Sequence, residues 1–361
     1  MECVDVSGLV RRAIMIPYWL AFIFPMLLSL RGVSRRYVDA TWIIVLVSFV
    51  IFAGLRYEVG GDWGSYFLLY DDARHYSFWE YLSRSDPGYM LLNWLSSRLG
   101  GGVYLVNTLS ALIFFSCLII FCRAQPLPFL AFAIAIPYMG IVVSMGYSRQ
   151  VIALSFVMLG YKYLSEGKLR HYLLYIFVAA LFHKSAVILL PLGIFYLQRR
   201  LALRLIGVGG FSVIMVYLFI LDHVDLLWVN YVDAQMQSDG GLVRLLMNVA
   251  PSILLFMYFR KIKQTWPDYR MWMVLALGTM CLLPFIGFAS TAVDRVALYL
   301  IPLQLVVFSR LPMLFTVTGG RVMLSRIIVS YYALVLYVWL NYASHAEYWL
   351  PYQNVITLDI F

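Results

Sequence analysis

HYLLYIFVAALFHKSAVILLPLGIFYLQRR, His171–Arg200, is the stretch on which the reading of the whole chain turns. Basic residues flank it on both sides: Lys168 and Arg170 before, and Arg199, Arg200 and Arg204 after. In a membrane protein Lys and Arg gather in cytoplasmic loops, so both flanks belong inside. The apolar part between them is about 27 residues, roughly 40 Å of helix at 1.5 Å per residue. Two full spans need about 40 residues. The stretch therefore reads as two short helices that meet at His183-Lys184-Ser185. Their apex is then buried in protein or lines a water-filled cavity. A single tilted span with a charged middle is the alternative, and it would invert every segment downstream.

Composition sets the membrane context. The 361 residues are 63% hydrophobic and only 12% charged, far too apolar for a soluble globule. Apolar runs long enough to cross hydrocarbon recur from end to end. The expected fold class is an all-α polytopic membrane protein, with residues 1–361 forming one integral membrane domain. The net charge of +9 comes from short basic loops between apolar runs, so it does not imply nucleic acid. Cys3, Cys117, Cys122 and Cys281 show neither metal-ligand spacing nor a secreted framework. Arg11 and Arg12 precede an apolar run, but no A-x-A-like cleavage site follows. No repeat at a fixed period is present.

Working upstream, spans are expected over Ala13–Leu30 and Ala40–Gly54, with Arg31, Arg35 and Arg36 between them on the inside. That puts the N-terminus outside, although Arg11 and Arg12 argue the other way. Residues 56–102 then form a long outer, periplasmic loop. It opens on GLRYEVGGDWGSY, Gly54–Tyr66, where Gly54, Gly60, Gly61 and Gly64 surround Arg56, Tyr57, Glu58 and Asp62. Glycines allow sharp turns and close approach of a ligand to the backbone. The aromatics of HYSFWEYL fit short interfacial helices. Asp86-Pro87-Gly88 reads as a turn, and Tyr89–Leu99 as an amphipathic helix. Further spans are expected over Val103–Phe121, Leu127–Val143 (broken by Pro137) and Arg149–Leu164. Arg149 then stands on the first turn of a helix at the outer surface.

Downstream, spans are expected over Leu205–Leu221, Leu242–Phe259, Met271–Phe288, Val293–Phe308 and Val322–Asn341. The loops with Arg260, Lys261, Lys263 and Arg270, and with Arg310, Arg321 and Arg326, are basic and fall inside. The acidic loop Asp222–Gly241, a second periplasmic loop, and the tail Tyr342–Phe361 fall outside. The alternation closes on about ten spans plus the short-helix pair, with both termini outside.

On that map four unusual polar groups fall at the outer side: Arg56 to Asp62, Arg149-Gln150, His183-Lys184 and Asp294-Arg295. Arginines gathered at one membrane face suit a phosphate-bearing ligand, because the guanidinium fork matches phosphate oxygens and keeps its charge. Arg149 opens a helix, where backbone N–H groups also favour anions; a snorkelling interfacial arginine is the simpler alternative. His183 titrates near neutrality when unperturbed, so it is a candidate base or holder of a hydroxyl; a satisfied buried histidine is the simpler alternative. Arg295 and Tyr299 are four apart and share a helix face, while Asp294 is equally suited to structural pairing. Asp71-Asp72 reads as a solvated face rather than a metal site, and no metal is expected. Walker loops, zinc-ligand spacings and Gly-x-Ser-x-Gly elbows are absent, so no cofactor is expected.

Six motifs in order carry a resemblance: GLRYEVGGDWGSY, DPGYMLLNWLSSRLG, YSRQVIALSFVMLGYKYL, ALFHKSAVILLPL, DRVALYL and YWLPY. Together they resemble the EpsG family of polysaccharide polymerases, relatives of Wzy, across nearly the whole chain. The resemblance implies a GT-C-like membrane glycosyltransferase at the outer face of the bacterial inner membrane. It implies transfer of a growing glycan from undecaprenyl pyrophosphate onto a second lipid-linked repeat unit, for O-antigen or exopolysaccharide. Partners would be lipid-linked oligosaccharides as donor and acceptor, the bilayer, and a chain-length regulator and flippase. The family's polar positions fall on Arg56, Tyr57, Gly60, Asp62, Arg149, Gln150, His183, Ser185 and Arg295; Lys184 and the second glycine of VGGDW are departures from its pattern. In the expected mechanism Arg149, with Arg56 or Arg295, neutralises the pyrophosphate leaving group. His183 or Asp62 takes a proton from the acceptor hydroxyl, and direct attack inverts the anomeric centre. Tyr57, Gly60, Gln150, Lys184, Ser185 and Tyr299 complete the expected substrate site. A lipid-linked oligosaccharide flippase is one rival, although flippases tend to show internal repeats; an O-antigen ligase or membrane acyltransferase is another.

Overall fold

The structure, a computed structural model, describes residues 6–32, 34–196, 208–219, 240–287, 290–315 and 317–360. The regular elements of those residues are all helices, and their single bridge pairs Arg56 with Asn354. Among the described residues four helices are long and apolar enough to cross a membrane: Ile14–Arg31, Gly102–Arg123, Pro128–Gly146 and Thr318–Tyr342. The number rises to six if two bent helix pairs each count as one span. Four further apolar helices are shorter: Val38–Gly54, Leu169–Phe182, Lys184–Ile194 and Tyr269–Phe285. Leu20, Ile43, Met323 and Leu334 on these elements point outward, as side chains of a multi-pass membrane protein do where lipid replaces water.

Two compact units emerge, the first from Met1–Arg123, Leu127–Val151 and Thr316–Phe361, the second from Ala124–Pro126 and Ile152–Phe315. In the first, Val38–Gly54 packs against Gly102–Arg123. Their closest approach is at Gly54, where a Cβ would lie 2.7 Å from the Thr108 backbone. Aromatic rings fill the space around them: Trp42 stacks on Phe129 at 4.4 Å, and Phe49 meets Phe115 and Phe132. Residues 136–143 take a π-helical course between Pro128–Ala135 and Ser144–Gly146. The break expected at Pro137 is therefore absorbed by a wider turn, which releases the hydrogen bond that proline cannot make. Residues 56–102 hold the helices Trp63–Asp72, Phe78–Ser83 and Pro87–Leu99. Asp86-Pro87-Gly88, expected as a turn, instead starts the last of these. Pro87 occupies the first helical position, where its missing N–H has no intrahelical partner to lose.

In the second unit Leu169–Phe182 ends at His183, whose backbone is extended (φ −158°, ψ 111°), and a 3-10 helix, Lys184–Leu189, follows. The pair of short helices read from the sequence thus meets where expected. Two other spans are more broken than expected. Gly241–Met257 bends by 81° into Phe259–Thr265, and Ser290–Leu298 bends by 50° into Pro302–Leu314. Pro302 explains the second bend, since it cannot donate to the preceding turn. Side chains also reach carbonyls near that bend: Asn248 Nδ2 donates to the Ala297 oxygen (2.9 Å) and Tyr161 to that of Tyr299 (3.1 Å). Arg199, Arg200, Arg204 and almost all of the acidic loop Asp222–Gly241 lie outside the described residues. Of the expected span Leu205–Leu221, Gly210–Phe219 is helical.

Candidate active site

The polar groups singled out by the sequence fall into two clusters, one in each unit. In the first unit the loop after Val38–Gly54 folds back so that Arg56 is buried, 1% exposed. Its guanidinium donates to four neutral acceptors: the carbonyls of Val59 (3.1 Å) and Ala53 (2.6 Å), Asn107 Oδ1 (3.1 Å) and Ser148 Oγ (3.1 Å). Trp63 covers one face of it at 5.8 Å. Burial pushes its pKa down to about 10, still well above physiological pH, so the charge stays. Arg56 is thus the clamp that ties the glycine-rich loop to Ser148, the first residue of Ser148–Ser165.

Arg149 follows Ser148 on that helix, with its side chain 35% exposed. Its Nη1 donates to Ser85 Oγ (2.9 Å) and pairs with Asp86 Oδ2 (3.1 Å). Asp86 makes no side-chain cap to its own helix; it orients Arg149 instead. The Arg149 backbone N–H, orphaned at the helix start, is directed at the Tyr66 hydroxyl at 3.5 Å. Gln150 is buried beside it, and Tyr57 is half-buried, its ring 6.4 Å from Trp63. Asp62, partly exposed, precedes the helix Trp63–Asp72.

Gly60 shows why the loop needs glycine. Its φ is +110°, and a Cβ would lie 2.3 Å from the Met145 carbonyl, an approach that a side chain cannot match. Its N–H donates to the Tyr348 carbonyl (2.8 Å) in the C-terminal tail. The tail continues this pairing: Tyr57 N–H to the Gln353 oxygen (3.0 Å), Val355 N–H to that of Leu55 (2.9 Å), Tyr352 Oη to that of Phe52 (2.8 Å). Trp349 lies against Gly146, whose Cβ would meet its ring at 2.7 Å. The tail was legible as YWLPY but not as the strap over Arg56.

The second unit brings His183, Ser185 and Tyr299 together. Ser185 Oγ lies 2.8 Å from His183 Nδ1 and 3.0 Å from the Tyr299 hydroxyl. The Ser185 backbone N–H also points at His183 Nδ1, at 3.4 Å. A backbone N–H can only donate, so Nδ1 is the acceptor and the proton of neutral His183 sits on Nε2. The order of donation follows: Tyr299 to Ser185, and Ser185 to His183. Lys184, half-buried, opens the 3-10 turn beside them. Arg295 stands on Ser290–Leu298, one turn before Tyr299. The helix stops at Leu298, and Tyr299 N–H bonds to the Val296 carbonyl in a tighter turn. Asp294 is paired two-pronged with Arg244, at 2.5 and 2.7 Å. A second ion pair, Arg310–Asp268 at 2.7 Å, is braced by Trp272 and Gln125.

Among the described residues no group of three His, Cys, Asp or Glu side chains could hold a metal ion. Asp71 is paired with Arg74 and His75, and Asp72 with Arg84, all partly exposed. Asn107, Ser148, Tyr89 and Trp349 carry the first cluster without having stood out individually in the sequence. Only contacts across the fold reveal them.

Comparison with known proteins gives one match: the model of the EpsG family fits residues 39–354, nearly the whole chain. No curated protein and no solved structure matches.

Proposed function

Because the chain belongs to the EpsG family, whose members are Wzy-like polysaccharide polymerases, we propose that it elongates a lipid-linked glycan at the periplasmic face of the bacterial inner membrane. The donor is a glycan on undecaprenyl pyrophosphate, and the acceptor is a second lipid-linked repeat unit. The short apolar helices complete a GT-C-like bundle of about ten spans. The observation that carries this reading is Arg149, a partly exposed guanidinium at a helix start, held in place by Asp86 and Ser85.

Arg149 binds the pyrophosphate as charge develops on it, with electrostatic help from the buried Arg56 and from Arg295. Arg56 acts by positioning the loop and Ser148. The acceptor hydroxyl oxygen attacks the anomeric carbon, the bond from that carbon to the pyrophosphate oxygen breaks, and its electron pair leaves with the pyrophosphate. The attacking hydroxyl gives its proton to Ser185 Oγ while Ser185 passes its own to His183 Nδ1, which becomes imidazolium. Tyr299 holds Ser185 in place for that transfer. Asp62 is the second candidate base. Tyr57, Gly60, Gln150 and Lys184 line the substrate path. One displacement inverts the anomeric centre, and the arginines supply the electrostatics without a metal.

The deciding experiment is the glycan length made by a deletion strain. Loss of a polymerase leaves single-repeat caps, whereas loss of a ligase or a flippase leaves none. Restoration of long chains by the wild-type protein but not by His183→Ala or Arg149→Ala supports the assignment. Single-repeat caps missing from the deletion strain would sink it. Polymer formation in membranes should also survive EDTA; loss reversed by magnesium or manganese would put a metal at Asp71-Asp72.

A further inference from the structure

Several buried polar atoms in the first unit have no partner among the described residues, and two of them, on Asn107 and Tyr89, are on residues near Arg56. Arg56 is a buried cation with four neutral acceptors and no carboxylate against it among the described residues. Asn107 accepts from Arg56 through Oδ1, but its Nδ2 donor, buried at 1% residue exposure, has no partner among those residues. The Tyr89 hydroxyl, in a fully buried side chain, likewise has none. A buried charge without a counter-ion and buried donors without acceptors are all costly, and native proteins keep few of them. Burial raises the pKa of Tyr89, so its hydroxyl stays protonated and able to donate.

These groups adjoin Arg149. Asp86 and Tyr89 are three residues apart on the first turn of Pro87–Leu99, so they share a face, and Asp86 on that face holds Arg149. The Tyr89 ring meets Tyr66 edge-on at 5.4 Å, and Tyr66 faces the Arg149 backbone N–H. Asn107 and Ser148 meet at one guanidinium nitrogen of Arg56, one residue before Arg149. Tyr89 Oη and Asn107 Nδ2 are each donors that an anionic oxygen would satisfy.

We propose that Tyr89 Oη and Asn107 Nδ2, beside Arg56, form a preformed inner receptor for a phosphate oxygen of a polyprenyl diphosphate that enters past Arg149. This inference rests on the reading of Arg149 as the pyrophosphate site and adds the donors that would distinguish a diphosphate from a simple anion on a surface arginine. Arg149 is reached from outside, whereas Tyr89 and Asn107 supply neutral donors in a dry setting, where each hydrogen bond to an anion is strong.

The test uses the full chain in detergent and measures binding of farnesyl diphosphate by equilibrium dialysis of the radiolabelled lipid, with farnesol and inorganic pyrophosphate as competitors. Tyr89→Phe keeps the ring and should weaken farnesyl diphosphate about tenfold, the loss of one hydrogen bond to a charged group. Asn107→Asp keeps the oxygen that Arg56 grips but places a carboxylate where the anion would go. It should hold or raise the melting temperature, because Arg56 gains a counter-ion, yet weaken farnesyl diphosphate by at least about tenfold. A variant damaged in folding alone would lose both together. If both variants bind as tightly as wild type while Arg149→Ala does not, the inner receptor is wrong and the pyrophosphate reading stands. If Arg149→Ala also binds normally, both fall. Should Asn107→Asp fail to fold, Tyr89→Phe decides. Competition by inorganic pyrophosphate as strong as farnesyl diphosphate itself supports the receptor and makes the free anion its ligand; competition by farnesol alone overturns it.

Discussion

The two polar clusters handle charge in opposite ways. In the second unit two part-buried arginines each face a carboxylate: Arg244 pairs with Asp294, and Arg310 with Asp268. What remains for chemistry there is a neutral relay of Tyr299, Ser185 and His183. In the first unit Arg56 is buried against neutral dipoles only, and Arg149 gives part of its fork to Asp86 while staying partly exposed. Arg56 and Arg149 thus keep positive charge in one cluster, while in the other Arg244 and Arg310 are each matched by a carboxylate. A group-transfer enzyme needs both conditions: fixed cations where a leaving group gains charge, and neutral, titratable groups where a proton moves.

If the second unit's pairs are structural, breaking one should unfold rather than inactivate. Asp294→Ala leaves Arg244 buried without a carboxylate and should cost about 3–5 kcal/mol, read as a lower melting temperature in detergent. Replacing both partners with apolar residues should restore most of it. Normal stability with lost polymer would mean that Asp294 serves the substrate, and the contrast would fail. The complementary change is in the first unit. Arg149→Ala should leave stability near wild type but lower polymer formation a hundredfold or more, about 3–4 kcal/mol of transition-state stabilisation. Arg149→Lys should fall between, because it keeps the charge without the fork. Both are scored at matched membrane levels.

Smaller effects sharpen the same contrast. Gly60→Ala forces a side chain onto φ +110° against the Met145 carbonyl and should cost about 1–3 kcal/mol from the backbone alone. It should also loosen Tyr348, since Gly60 N–H bonds there; limited proteolysis of the tail would report this. An unchanged cleavage rate would mean that the strap is held elsewhere. Tyr299→Phe removes one hydrogen bond to Ser185, worth about 0.5–1.5 kcal/mol. Turnover should slow about threefold to tenfold, with farnesyl diphosphate binding unchanged. A binding defect instead would place Tyr299 with the anion rather than the proton.

Much of this architecture is legible in the order of residues. Apolar runs, basic loops and the shortness of Leu169–Phe182 plus Lys184–Ile194 follow from transfer energy and chain length, which are local quantities. So does the break at His183: too few residues lie between two basic flanks for two full spans. Motif spacing along the chain also carried the family. The roles of single residues were less legible. Arg56 and Arg149 are both arginines beside apolar helices, yet one is a buried clamp and the other a partly exposed cation. The difference is made by Asn107, Ser148, Asp86 and the tail at Tyr348 and Gln353, most of them far away in sequence. The same holds for Tyr299: the sequence places it one turn after Arg295, but only the fold brings it to Ser185 and gives its carbonyl to Tyr161. Hydrophobic transfer acts residue by residue and can be read from the chain. Hydrogen-bond partners and counter-ions are chosen only when distant segments meet, and so the tertiary structure alone decided which charges are cancelled and which are kept.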